Sequence, residues 1–312
     1  MRTHRFLLVN PRSGDGSPSA EELAEAAQEL GIEVHLLAEG ENPAEIARAS
    51  GAGTLGMAGG DGSLAAVAGV ALETEAAFVC VPFGTRNHFA RDAGLDRDDP
   101  LDALRAFTDG VERRIDVGRV GDRYFLNNVA LGVYARLVHR RERRRRRGEA
   151  LARLRALAAV ARRRHRLRLR VNGDPMVARA VLVGNNAYRL SLFTLGERDR
   201  LDAGILQLGV AEGWLPRTWH DRLESSLVVE LGTPGIRAAI DGEPVTLETP
   251  LRFTSLPGAL RLLVPAEGGA MHDNPEPTEE EQEEAQGGRL EEEESMRYPS
   301  DAQPDAPDDA SE

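Results

Sequence analysis

Short apolar runs alternate with amphipathic stretches over the first third of the chain. Phe6 to Val9, Glu33 to Leu37, Thr54 to Ala58 and Ala77 to Val81 read as strands. Helix signals lie between them. Ser19 and Glu22 form a capping box for a helix that runs to about Leu30, where Gly31 ends it. Asn42 caps the next helix, with Pro43 at its first position and Glu45 three residues after the cap. A further helix follows Pro100 to about Thr108. The order βαβαβαβα predicts a doubly wound α/β domain over residues 1–117, a mostly parallel sheet with helices on both faces.

The pattern then changes. Ile115 to Val120, Tyr124 to Val129, Leu167 to Val171, Val177 to Val183, Ile205 to Val210, Leu227 to Leu231, Arg237 to Ile240, Leu251 to Thr254 and Leu260 to Val264 are short strand candidates, many of them separated by Gly, Pro and Asp. They predict an antiparallel β domain over 118–265, a sandwich or flattened barrel. Residues 136–170 interrupt it with 16 arginines, five of them consecutive from Arg143 to Arg147. Leu151, Leu154, Leu157 and Val160 recur there at helical spacing, so at least one basic amphipathic helix is expected. Three uses fit such a stretch: a solvated face, a nucleic-acid patch or a dock for an anionic leaflet. No interleaved aromatics accompany the arginines, so no nucleic-acid partner is expected.

Charge divides the chain more sharply than its average shows. The net charge is −12, yet residues 266–312 alone carry 17 acidic and 2 basic residues, and the remainder is +3. That tail is rich in Glu, Asp, Pro and Gln and is expected to be disordered. The single cysteine, Cys80 in the run FVCV, excludes an internal disulfide, reads as a small core residue and fits a reducing cytosol. No secretion signal is visible, and no stretch approaches the ~20 apolar residues of a membrane-spanning helix.

The chemistry gathers at the ends of the early strands. Gly59-Gly60-Asp61-Gly62-Ser63 and Pro82-Phe83-Gly84-Thr85-Arg86-Asn87 each lead from a strand into a helical pattern. Glycines let the backbone approach a phosphate, and free N–H groups at a helix start point at it. Both turns fall at the carboxyl edge of the parallel sheet, where ligands bind in such folds. Asp61 would repel a phosphate; it can hold Mg²⁺ through water or fix its loop by accepting N–H bonds. Later, Asp241-Gly242-Glu243 offers two carboxylates. If that segment is extended, residues two apart face one side, and both would enter one site. One could then serve as a general base. The pair Asn185-Asn186 either lines a cleft or caps a turn.

Together these stretches resemble one family. GGDGS is similar to the element shared by diacylglycerol, sphingosine and NAD kinases and phosphofructokinases. PFGTRNHFAR resembles the second element of bacterial diacylglycerol and related lipid kinases and of sphingosine kinases. Asn10-Pro11-Arg12-Ser13-Gly14 and Asp241-Gly242-Glu243 match the family's first and last motifs, so the resemblance spans roughly residues 5–265. It implies two domains with a nucleotide in the cleft between them, the last strands possibly returning to the first domain. It also implies ATP and Mg²⁺ as cofactors and phosphoryl transfer to a lipid hydroxyl, most simply diacylglycerol giving phosphatidic acid.

By that resemblance Asn10, Pro11, Ser13, Gly14, Gly59, Gly60, Asp61, Gly62, Ser63, Gly84, Thr85 and Asn87 bind nucleotide. Glu243 is the proton acceptor and Asp241 a Mg²⁺ or orienting partner, the two roles being exchangeable; Asp61 belongs to the catalytic set. Asp199 and Asp202 lie in the segment where the family holds a structural Mg²⁺, but Ala203 intervenes before Gly204, and an ordinary turn explains them equally. His88 stands where the family has Asp. Two alternatives stay open: a sphingoid-base or other lipid kinase, and an inactive nucleotide-responsive protein of membrane surfaces. The expected location is cytoplasmic, peripheral at the inner membrane surface. The expected partners are a lipid acceptor and an anionic membrane; a homodimer is one open arrangement.

Overall fold

The apolar runs of the first part become a parallel sheet because each is followed by a helix that carries the chain back across one face. A computed structural model describes residues 4–14, 17–84, 87–132, 166–190, 195–211 and 219–266. The strands are β1 (Arg5–Val9), β2 (Glu33–Leu36), β3 (Thr54–Gly59) and β4 (Ala77–Pro82), in spatial order β2-β1-β3-β4. Every residue of β3 and β4 is buried, as expected of strands covered on both faces. Helix α1 (Ala20–Glu29) starts at Ser19, whose side chain accepts from Glu22 N–H while Glu22 reaches back to the cap. Helix α2 (Pro43–Ser50) starts at Asn42 and ends at left-handed Gly51. Helix α3 (Asp61–Glu73) leaves β3 directly, and the short α4 (His88–Asp92) follows β4. The helix expected after Pro100 is a 3-10 turn, Asp102–Arg105, running into one turn of α-helix, α5 (Ala106–Asp109).

The sheet does not stop at β4. The separate strands expected at Leu251–Thr254 and Leu260–Val264 are one 14-residue strand, which becomes β18 in chain order (Leu251–Val264). Its register shifts between Leu256 and Leu260, where Pro257 has no N–H to give and Gly258 takes φ 55°. Through Leu262 and Leu263 it pairs in parallel with β4, and along most of its length it pairs antiparallel with β5 (Val111–Val120). The sheet continues from β18 through β15 (Ser226–Leu231) to β8 (Leu167–Val171) and β9 (Asp174–Ala178), with β6 (Arg123–Phe125) beside β5.

A second, antiparallel sheet holds β7 (Asn128–Gly132), β10 (Ala180–Asn185), β13 (Leu206–Ala211), β14 (Trp219–Glu224), β16 (Gly235–Ile240) and β17 (Glu243–Glu248), in order β14-β13-β10-β7-β16-β17. A small hairpin joins β11 (Tyr188–Leu190) to β12 (Leu195–Arg198). One core made of Phe125, Val129, Val181, Val183, Leu227 and Phe253, among others, lies between the two sheets, and both belong to one unit, Met1–Gly269. A second core, around Met57, Leu64, Val67 and Phe78, lies between the parallel sheet and its helices.

Two expected strands are each split. Val177–Val183 divides at Arg179 into β9 and β10, because the chain leaves one sheet for the other there. Tyr124–Val129 divides at Leu126-Asn127 into β6 and β7, because those N–H groups are drawn to a side chain rather than to a neighbouring strand. Thr85, the arginine-rich stretch up to residue 165 and residues 267–312 lie outside the described residues.

Phe253 sits edge-on to Phe125 at a centroid distance of 6.4 Å, and both rings are fully buried. Phe253→Ala should cost about 3–5 kcal/mol in a denaturant titration; a change below about 1 kcal/mol would mean the core between the sheets does not depend on this ring.

Candidate active site

Three loops meet at the carboxyl ends of β1, β3 and β4. Asn10 follows β1: its N–H donates to Ala58 O and its Oδ1 accepts from Arg12 N–H at 3.1 Å. Ser13 N–H returns to Asn10 O, which tightens the loop past exposed Pro11. Gly14 then comes against the ring of Phe83, where a Cβ would stand 2.6 Å from Cζ. Gly84 presses on the first glycine turn itself, for a Cβ there would stand 2.8 Å from Gly60 Cα and 3.2 Å from Gly59 O. The sites expected from Asn10, Gly14, Gly59, Gly60 and Gly84 are therefore one place. Ser63 Oγ donates to Gly60 O at 2.9 Å and braces the turn. Asn87, buried and left-handed at φ 42°, donates from Nδ2 to Gly84 O at 2.6 Å and braces the other.

Within this region Gly60 differs from its neighbours. Nothing stands within 4 Å of where its Cβ would be. It is the N-cap of α3, and no side chain caps that helix. The first-turn N–H groups and the open side of Gly60 leave a backbone surface suited to an anion.

Asp61 ties the two glycine turns together. Its Oδ1 accepts from Phe89 N–H at 3.1 Å and its Oδ2 from His88 N–H at 3.3 Å, so it caps α4 across space. Oδ1 also accepts from Asn127 Nδ2 at 3.2 Å. Of the two roles open to Asp61, the fixing of loops is the one visible in its contacts.

The two carboxylates of Asp241-Gly242-Glu243 are not arranged as an extended segment would arrange them. Asp241 and Gly242 take φ 46° and 86° and form the hairpin turn between β16 and β17, with Ile240 paired to Glu243. Positive φ at both central residues suits Asp-Gly and reverses the chain within two residues. Asp241 consequently points inward, 6% exposed. It accepts from the backbone N–H of Leu126 at 2.7 Å and of Asn127 and Asn128 at 2.8 Å. Glu243 stands outside, its side chain lying against Gly62, where a Cβ would overlap it. Burial pushes the Asp241 carboxyl up to about 7, against its three N–H donors and with the neighbouring Asp61 adding to the rise.

Several residues of this region were not expected from the sequence. Asn127 is 3% exposed and lies between Asp61 and Arg198. Arg198 and Asp92 pair at 2.7 Å with both side chains fully buried. The polar doublet Asn127-Asn128 inside the apolar run FLNNVALG was a visible signal; Arg198, one of 39 basic residues, carried none. Asn185 donates to Asp116 O and Leu126 O, and Asn186 accepts from Ala203 N–H, so this pair supports the loops around it. Asp202 is exposed, bonded by Arg200 Nε at 2.9 Å and held below the usual carboxylate range by that bond; Asp199 is also exposed. Among the described residues no three His, Cys, Asp or Glu side chains form a set that could hold a metal.

Residues 4–120 match the family described as diacylglycerol kinase catalytic domain. A "Probable lipid kinase YegS-like" protein of Chromohalobacter salexigens is 34% identical over 143 residues, 43% of this chain and 45% of that relative, so the match spans less than half of that relative's length. One of the same description from Pseudomonas aeruginosa is 29% identical over 304 residues, 88% of this chain and 99% of the relative. The crystal structure of a diacylglycerol kinase from Bacillus anthracis shares the fold at TM-score 0.62 and 17% identity, covering 85% of this chain and 98% of that one. These similarities support a bacterial diacylglycerol/lipid kinase family for this chain.

Two outcomes follow from the geometry alone. Gly84→Ala should cost about 1–3 kcal/mol, the usual cost of overpacking against backbone, while Gly60→Ala should leave stability within about 0.5 kcal/mol; equal effects in thermal or denaturant unfolding would contradict the contact between the turns. The second concerns pH. Asp241 holds its proton more tightly folded than unfolded, where its pKa is about 3.9. Its contribution to stability is full below that value and is lost as pH rises towards about 7. Denaturant titrations at pH 4.5 and 7.5 should show a larger loss for the wild type than for Asp241→Asn; equal losses would contradict the buried placement of the carboxyl.

Proposed function

We propose that the chain is an ATP- and Mg²⁺-dependent kinase that phosphorylates a lipid hydroxyl, with diacylglycerol as acceptor and phosphatidic acid as product. One observation carries this reading: the Glu243 carboxylate lies against Gly62, in the same turn whose Gly60 is open and whose helix start is uncapped. A base and a phosphate cradle thus stand side by side, which is most of what phosphoryl transfer asks of a protein.

The residues present fit a nucleotide. Asn10, Ser13 and Gly14, the turn from Gly59 to Ser63 with its Asp61, and Gly84 with Asn87 would surround its phosphates. When bound, Mg-ATP supplies the phosphoryl group and the cation that offsets its charge. Glu243 takes the acceptor's proton as the hydroxyl oxygen bonds to the γ-phosphorus and ADP leaves. Asp241 is occupied by three backbone donors, so its part is to hold the hairpin that presents Glu243. The exposed Asp199 and Asp202 remain candidates for a separate structural cation.

A lipid acceptor must be met at a surface, since no helix among the described residues is long and apolar enough to cross a membrane. The arginines of 136–170 suit an anionic leaflet at about 1 kcal/mol each near the surface, screened by salt. Within that stretch Arg168 and Arg170 are exposed on β8. The reading places the protein in the cytoplasm, peripheral at the inner face of the membrane.

Incubation with Mg-ATP and diacylglycerol in anionic vesicles, a sphingoid base, NAD and sugar phosphates should give phosphatidic acid as the main product. Glu243→Gln should lower turnover by about 10²–10⁴ with nucleotide binding kept, and Gly60→Val should lose nucleotide binding while staying folded. Phosphorylation of NAD or a sugar alone would reject the lipid assignment; full turnover in Glu243→Gln would remove it as the base.

A further inference from the structure

Arg198 has no evident reason to be buried unless its position matters. Taking a guanidinium out of water costs several kcal/mol unless its donors are satisfied. Here Nε donates to Asp92 Oδ2 at 2.7 Å, Nη1 to Leu126 O at 2.6 Å and Asn185 O at 3.0 Å, and Nη2 to Asn127 Oδ1 at 2.8 Å. The plane lies 5.0 Å from the centre of the Tyr188 ring. Arginine only donates, so it fixes the amide of Asn127 with Oδ1 towards itself. The other end, Nδ2, must then face Asp61, and it does at 3.2 Å.

This grips α4 at both ends. Asp61 holds the N–H groups of His88 and Phe89, and Arg198 holds Asp92 in the last turn. The same Asn127 gives its own N–H to Asp241, under the hairpin that carries Glu243. We propose that Arg198 is a positioning residue of the phosphoryl-transfer site, setting the second glycine turn against the first, and both against Glu243, through Asn127 and Asp92. The inference rests on the kinase reading for its function but not for its geometry. A lysine keeps the charge yet has a single nitrogen, which cannot reach Asp92, Asn127 and both carbonyls together.

Two variants of the full chain test this. In hydrogen exchange without ligand, Arg198→Lys should raise the rate about tenfold in peptides covering residues 87–92 and leave those covering β3 and β4 unchanged. Unchanged exchange at 87–92 would overturn the proposal. Should Arg198→Lys fail to fold, Asn127→Asp supplies the second arm. It is isosteric and sets a carboxylate oxygen where Nδ2 now faces Asp61, with Arg198 on its other side, Asp241 below its backbone, and Asp92 and Tyr188 around Arg198. Two like charges then face each other across the contact. At pH 7, corrected for intrinsic rates, exchange at 87–92 should therefore be about tenfold faster in Asn127→Asp than in the wild type, and kcat on diacylglycerol should fall about tenfold with its KM little changed, a split that a merely structural role would not create. Unchanged exchange at 87–92 in this variant would overturn the proposal. Wild type without lipid kinase activity but with these exchange patterns would reject the kinase reading and support the brace.

Discussion

One buried carboxylate sets the geometry of the candidate site. Asp241 draws the N–H groups of Leu126, Asn127 and Asn128 out of the strand ladder and onto its two oxygens. A carboxylate this deep is costly to bury unless it is densely bonded, and three backbone donors meet that need. The consequences run in both directions. The break between β6 and β7 places Asn127 beside Asp61, and the pinned hairpin brings Glu243 out against Gly62. Residues far apart in the chain become one site because one acceptor holds all three N–H groups.

Much of the parallel half was legible in the sequence because its determinants are local. Ser19 with Glu22, Asn42 with Pro43 and the glycine turns state their structure within a few residues, and the helices start where those residues stand. The meeting of the turns at Gly84 and Gly60 followed from the βαβ rhythm. The antiparallel half was less legible. Nothing near Leu251 or Leu260 shows that one strand runs through Pro257-Gly258, since its partners, β4, β5 and β15, lie far away in sequence. Asp241 and Glu243 would share one face if their segment were extended, but Asp-Gly at positive φ makes a turn and sends them to opposite environments. Arg198 was invisible because a buried arginine is defined by what surrounds it, and its partners Asp92, Asn127 and Asn185 come from three other elements.

The site divides its work between exposed groups and a buried frame. The groups proposed to touch substrate, Glu243 and the open side of Gly60, are exposed or unobstructed. The groups that hold them, Asp241, Asn127, Arg198 and Asp92, are buried and bonded at nearly every polar atom. Phosphoryl transfer gains most from positioning, so this division suits the proposed reaction. It also joins the glycine turns beside His88, whose N–H is held by Asp61.

The most direct measurement is the hydrogen-exchange footprint of Mg²⁺ with a non-hydrolysable ATP analogue on the full chain. Simultaneous slowing in peptides covering residues 10–14, 59–64 and 83–89, with a smaller effect at 126–128 and 241–243, is the expected result. Slowing in only one of the three loops, or none at saturating nucleotide, would contradict the claim that they form one phosphate site facing Glu243.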